Sequence, residues 1–155
     1  YAEAARVSAD NGAIVCLDPN LRPAFSSEKH RLFLRGLLES VTVLKLSDEE
    51  VEFLGDTSRV PVVVTTLGGE GIRVRAPFGV CEVQAPTVEV ADTIGAGDTI
   101  MAALVHQFDA RGLDRSALLA LGEGEWREIL DFAARAAAIT VSRTGADTPY
   151  LHELV

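Results

Sequence analysis

A chain of 155 residues, 48% of them hydrophobic and 24% charged, can bury a sizeable core, which excludes disorder and fibrous repeats. Asp and Glu outnumber Lys and Arg 23 to 14, and the net charge of -9 repels phosphate backbones and anionic lipid, so neither nucleic acid nor membrane is expected as a partner. A small anionic ligand stays compatible with that field where local donors or a metal neutralise it.

Residues 1–11 read as a helix ended by Gly12. The chain opens at Tyr1, inside this pattern and without a methionine, and reads as an excerpt of a longer one. The continuous apolar run 13–17 predicts a strand covered on both faces. Residues 28–39 predict a helix with Leu32, Leu34, Leu37 and Leu38 on its apolar side, 41–46 a second strand, and 47–54 a helix. Residues 60–65 predict a third buried strand, β-branched apart from Pro61 near its start. Runs 72–76 and 80–85, joined through Pro77, Phe78 and Gly79, predict a hairpin. A helix over 96–108 places Ile100, Leu104 and Phe108 on one face; 116–121 is a short helix closed by Gly122, and 125–142 a long one rich in alanine. This alternation predicts an α/β fold, a mostly parallel sheet between helical layers, with no linker dividing it.

No run nears the ~20 apolar residues of a membrane span and no signal peptide is visible, so a cytoplasmic location is expected. Cys16 and Cys81 lie in separate apolar runs without metal spacing and read as buried free thiols. His30, His106 and His152 have no ligand-like spacing and read as surface or packing residues.

Ligands of such sheets bind beyond the carboxyl ends of the strands. Polar clusters fall there: Asp18, Asn20 and Arg22 after the first strand, Ser47 to Glu50 after the second, and Thr66, Gly68 and Gly71 after the third. Asp92-Thr93-Ile94-Gly95-Ala96-Gly97-Asp98 then opens a helix. Its glycines allow a tight turn, and the free N–H groups and dipole of the helix favour an anion. A carboxylate beside an anion hole is electrostatically out of place unless it works, for example by taking a proton from a hydroxyl that attacks a phosphoryl group. The plainer alternative makes Asp98 an N-cap and the glycines a turn. Neither a Walker A loop nor a G-x-G-x-x-G fingerprint is present, since no Gly-Lys-Ser/Thr follows and Ile100 takes the third glycine position.

Other candidates also carry two readings. Ser47 and Glu50 form a capping box, which a glutamine at 50 is expected to preserve. Asp18 and Asn20 suit an Asx turn, and Arg22 either a phosphate or solvent. Thr66, Gly68 and Gly71 suit a turn into the hairpin or a nucleotide contact. The surface from Ala133 to Ala138 suits close packing on the sheet, and Trp126 packing beneath the preceding loop.

Asp92-Thr93-Ile94-Gly95-Ala96-Gly97-Asp98-Thr99 closely resembles the signature of the ribokinase-like (phosphofructokinase-B type) sugar kinases. The resemblance spans essentially the whole chain. Leu17-Asp18-Pro19-Asn20-Leu21-Arg22-Pro23 is similar to a segment of the fructokinase and 2-keto-3-deoxygluconate kinase branch. Lys45-Leu46-Ser47-Asp48-Glu49-Glu50 with Val51-Glu52-Phe53-Leu54 is most similar to fructokinases, and Val64-Thr65-Thr66-Leu67-Gly68-Gly69-Glu70-Gly71 resembles the family's nucleotide-binding turn.

The resemblance implies a ribokinase-like three-layer α/β sandwich of which residues 1–155 are the C-terminal, nucleotide-binding and catalytic part, the lid and N-terminal half lying outside. It implies ATP-dependent phosphorylation of a sugar hydroxyl, foremost that of a ketose such as fructose. Asp98 is then the general base, and Gly95, Ala96 and Gly97 the anion hole. Thr66, Gly68, Gly71, Ala134 and Arg22 fall to the nucleotide, Ala134 standing where some ribokinases place an asparagine. Glu50 falls to the magnesium shell, the family's Asn of that motif being Ser47 here. Asp92 and Ile94, with later positions around Thr140, Arg143 and Gly145, match a monovalent cation site such as one for K+. The implied partners are sugar and ATP, with a homodimer through the lid. Kinases of 2-keto-3-deoxygluconate, ribose or nucleosides, and a sensing descendant without turnover, are the alternatives.

Overall fold

Alternation along the central strands decides the layering. In the computed structural model, which describes residues 1–21 and 27–154, the strands β1 (Cys16–Leu17), β2 (Val43–Ser47), β3 (Val62–Thr66), β4 (Ile72–Ala76) and β5 (Gly79–Val83) lie side by side in chain order. β1, β2 and β3 pair in parallel and the β4–β5 hairpin joins β3 antiparallel, so β4 alone runs against the others. Among the described residues six α-helices flank the sheet: α1 (Ala2–Asp10), α2 (Glu28–Leu37), α3 (Asp48–Leu54), α4 (Ala96–Ala110), α5 (Arg115–Ala120) and α6 (Glu123–Val141).

Odd and even positions serve different layers. Val43, Val62 and Val64 turn one way and join Ile72, Val74, Leu104, Phe108, Leu118 and Ile129 in a core under α4, α5 and α6. Leu44, Leu46 and Val63 turn the other way, onto Leu34, Leu37 and Leu54 of α2 and α3. Each fully buried aliphatic side chain of these cores contributes roughly 1.5–3 kcal/mol by leaving water. The expected three-layer α/β arrangement is therefore present, with a mixed sheet. No helix among the described residues is long and apolar enough to cross a membrane.

Several elements differ from the sequence expectation. The first strand shrinks to two residues at a sheet edge, because the Val15 carbonyl accepts from both Thr42 N and Val43 N while Val15 N donates to the Thr42 hydroxyl. Cys16 is in consequence only half-buried; Cys81 is buried, and both are free. Burial pushes the Cys16 thiol up to about 11, which keeps it protonated and unreactive. Gly122 is the N-cap of α6 and not the end of α5: its N–H donates to Glu125 at 2.9 Å, and the helix starts at Glu123. α5 starts earlier than expected because Asp114 caps it, accepting from Ala117 N at 2.8 Å. Trp126 is fully buried and meets Phe108 of α4 edge-on, ring centroids 6.0 Å apart. Its indole N–H has no partner among the described residues.

Gly71 ends the turn that leads from β3 into β4. Its φ is +121°, and a Cβ there would stand 2.0 Å from the Val83 carbonyl oxygen. Backbone strain and overlap both act, so Gly71→Ala is expected to cost about 3 kcal/mol or more. Urea unfolding checks this; a loss below about 1 kcal/mol would mean that the turn relaxes freely.

Candidate active site

Gly95 caps α4 in the left-handed conformation, φ +81°, without any side-chain cap. A Cβ there would press to 3.0 Å on Ala146, so glycine answers both the dihedral and the space. Thr99 fixes the turn: its N–H and hydroxyl donate to the Gly95 carbonyl at 2.8 and 2.9 Å, and its hydroxyl lies 3.0 Å from that of Thr140 on α6. Among the described residues the N–H groups of Gly95, Gly97 and Asp98 find no acceptor, and that of Ala96 only a long one, 3.4 Å, in Thr93. Asp98 is the third residue of the helix and exposed, and its side chain makes no cap bond. The N-cap alternative for this carboxylate is therefore removed.

A cavity of about 430 Å³ runs from this turn to the end of β3. Ala96 and Gly97 line one end, Thr66, Gly68 and Gly71 another wall, and Ala134 with Ala137 a nearly flat helix surface. Its lining is mainly apolar, with the backbone of the first turn of α4 at one end, which suits a ligand with a flat apolar part and a charged one. Segment 85–90 completes the cavity through Pro86, Val88 and Val90; nothing in its short alternating sequence singled it out. Arg22 lies outside the described residues.

Glu50 is buried and both of its oxygens are engaged. One accepts from Ser47 N at 2.7 Å, completing the capping box with the Ser47 hydroxyl, and the other from Leu21 N at 2.6 Å. The side chain thus ties the loop after β1 to the start of α3. Asp18, at the head of that loop, pairs with Lys45 of β2 at 2.6 Å. Burial pushes the Asp18 carboxyl up, Lys45 draws it back, and the charge of Glu50 pushes it further up. The stability this carboxyl contributes is present below the ordinary carboxylate range and lost as pH rises through its raised value, so the ionised form is a cost at neutral pH. Asn20, two residues on, has φ +44°, a left-handed turn that asparagine tolerates. Lys45 was not singled out from the sequence, although a lysine inside an apolar strand run is itself the signal that a buried partner must exist.

Asp92 joins two loops. Its oxygens accept from Ile94 N and Gly145 N, both at 3.0 Å, and these bonds hold its carboxyl below the usual range. This tie is present above the ordinary carboxylate range and lost as pH falls through the lowered value. Nearby, Ala91 N and Asp92 N donate to the Val141 carbonyl. Asp92, Ile94, Thr140 and Gly145 thus converge, whereas the Arg143 side chain turns away to Glu153 and Asp147. The Thr140 hydroxyl is committed to Thr99 and the Ala136 carbonyl.

The profile of the pfkB family carbohydrate kinases matches residues 1–153. The chain belongs to that family. It is 30% identical to the Escherichia coli fructokinase over 152 residues, covering 88% of this chain and 48% of the relative. The ATP-bound fructokinase of Xylella fastidiosa superposes with a TM-score of 0.89 at 27% identity, over 98% of this chain and 53% of that one. The ribokinase of Thermotoga maritima shares the fold, TM-score 0.73 at 21% identity, over 99% of this chain and 52% of that one. The chain spans about half the length of the curated relatives it matches.

In this pfkB-family chain the clamp formed by Glu50 alters what a glutamine should do there. An amide offers one acceptor oxygen: it can still complete the capping box with Ser47 N, but its NH₂ then faces the Leu21 N–H, so the clamp on the loop after β1 is lost. Glu50→Gln should lose about 1–3 kcal/mol of stability. Thermal or urea unfolding measures it, and a change under about 0.5 kcal/mol would show that the Leu21 bond is dispensable.

Proposed function

We propose that residues 1–155 are the nucleotide-binding and catalytic part of a single ribokinase-like domain that phosphorylates a sugar hydroxyl with ATP. One observation carries this reading: a single cavity joins an apolar, side-chain-poor helix surface to the first turn of α4, where N–H donors are unclaimed among the described residues and the exposed Asp98 follows Gly97 directly. The adenine end belongs against Ala134 and the Thr66–Gly71 turn, and the phosphates toward Gly95, Ala96 and Gly97. Asp98 then accepts the proton of the sugar hydroxyl. The alkoxide oxygen forms its bond to the terminal phosphorus as the bond to the bridging oxygen breaks, and ADP leaves. Backbone donors aimed at the transferring group stabilise the charge that develops on it. The fructokinase relatives favour the primary alcohol of a ketose such as fructose.

Magnesium fits this site as an ion carried mainly by the nucleotide phosphates. Among the described residues no three Asp, Glu, His or Cys side chains converge, and Mg²⁺ is commonly held by phosphates, waters and one or two carboxylates. Asp98 is the exposed carboxylate it could take, whereas Glu50, with a backbone N–H on each oxygen, would contribute to its shell through its charge, and the ion would neutralise phosphate charge. A monovalent cation such as K+ fits the oxygen-rich junction of Asp92 and the backbone around Ile94, Thr140 and Gly145.

In the protein at its full natural length, Asp98→Asn should keep ATP affinity within a few fold and lower fructose phosphorylation by roughly 10²–10⁴. Coupled ADP release and calorimetric titration give the two numbers. Turnover within tenfold of the parent would remove Asp98 as the base. ATP binding without turnover on any ketose, aldose or keto-sugar acid in the parent would favour a sensing role.

A further inference from the structure

Lys45 sits where the sheet otherwise holds valine. Val43 precedes it on the same face of β2, and Val64 pairs with it across the ladder. Its side chain is only 5% exposed, and its ammonium donates to Asp18 at 2.6 Å. An ammonium has three donors, and among the described residues this one has no other acceptor. Among the described residues the second oxygen of Asp18 is buried and finds no hydrogen-bond partner. A Cβ on Gly97 would lie 3.0 Å from the lysine nitrogen. The charge is thus pressed against the first turn of α4, whose Gly97 and Asp98 N–H groups are unclaimed.

A buried ion pair left half-satisfied costs more than an apolar pair of the same volume. Packing alone gives no reason for a lysine here. The cost is recovered when an anion docks on the far side of Gly97, because the ammonium, the helix dipole and the free N–H groups then act in the same direction. Ala96 and Gly97 line the cavity on that side.

We propose that Lys45 is a phosphate-positioning residue, acting through the first turn of α4 to draw and hold the terminal phosphates of a nucleoside triphosphate, with Asp18 keeping its head in place. This rests on the nucleotide reading given above. Gly97 has a second duty in this arrangement, since any side chain there displaces the ammonium.

The test compares ATP with adenosine, which shares the base and ribose but lacks the charge. Both are titrated calorimetrically into the full-length parent, into Lys45→Met, and into the double variant Asp18→Asn/Lys45→Met, which leaves no unpaired buried charge. Lys45→Met should weaken ATP by roughly tenfold or more and adenosine by less than twofold. The double variant should regain thermal stability while showing the same selective loss. An ATP-to-adenosine ratio equal to the parent's, in Lys45→Met or in the double variant where the single one does not fold, overturns the inference. A parent that binds neither compound overturns the nucleotide reading itself, and the inference with it.

Discussion

The close approach of the first turn of α4 to the ends of β1 and β2 is the constraint on which the site depends. A helix start, a buried ammonium and a half-buried carboxylate occupy one small volume, and the glycine at 97 lets them meet without pushing the ammonium aside. The approach is held from three sides. The Thr99–Thr140 hydroxyl pair ties α4 to α6, Asp92 ties the loop before α4 to Gly145, and Glu50 ties the loop after β1 to α3. All three use hydrogen bonds shielded to differing degrees from water, and two of them end on backbone N–H groups. Backbone donors cannot rotate away, so loops held in this way keep their geometry without a large apolar contact of their own.

Much of this was legible in the sequence, because the relevant signals are local. Short continuous apolar runs, the glycine-rich turn before 96–108, and the Ser47–Glu50 box each depend on residues within a few positions of one another. The strand and helix sequence followed from them, as did the family. The shifts at the element ends have physical causes that composition does not carry. β1 is short because the Thr42 hydroxyl and a shared Val15 carbonyl replace a regular ladder. Gly122 caps α6 because Glu125 reaches back to it.

What was not legible depends on pairs far apart in sequence. Lys45 and Asp18 are separated by 27 positions and meet only through the parallel register of β1 on β2. The second oxygen of Glu50 finds Leu21 across 29 positions, so a residue that reads as a cap is also a clamp. Asp98 illustrates the converse. Its sequence context permits an N-cap, and only the dihedral of Gly95 shows that the cap lies three residues earlier.

The burial of Trp126 has a practical consequence. It is the sole tryptophan of the chain, it touches Phe108 of α4 from the first turn of α6, and its indole nitrogen is buried with no hydrogen-bond partner among the described residues. An indole in such surroundings emits at short wavelength, and solvent reaching it shifts the emission to the red. Ala134 lies eight residues further along the same helix, about 12 Å away at 1.5 Å per residue. The chain therefore carries its own optical probe of the α4–α6 seam, close enough to register a loosening of that seam and far enough from the cavity to escape direct quenching by whatever occupies it.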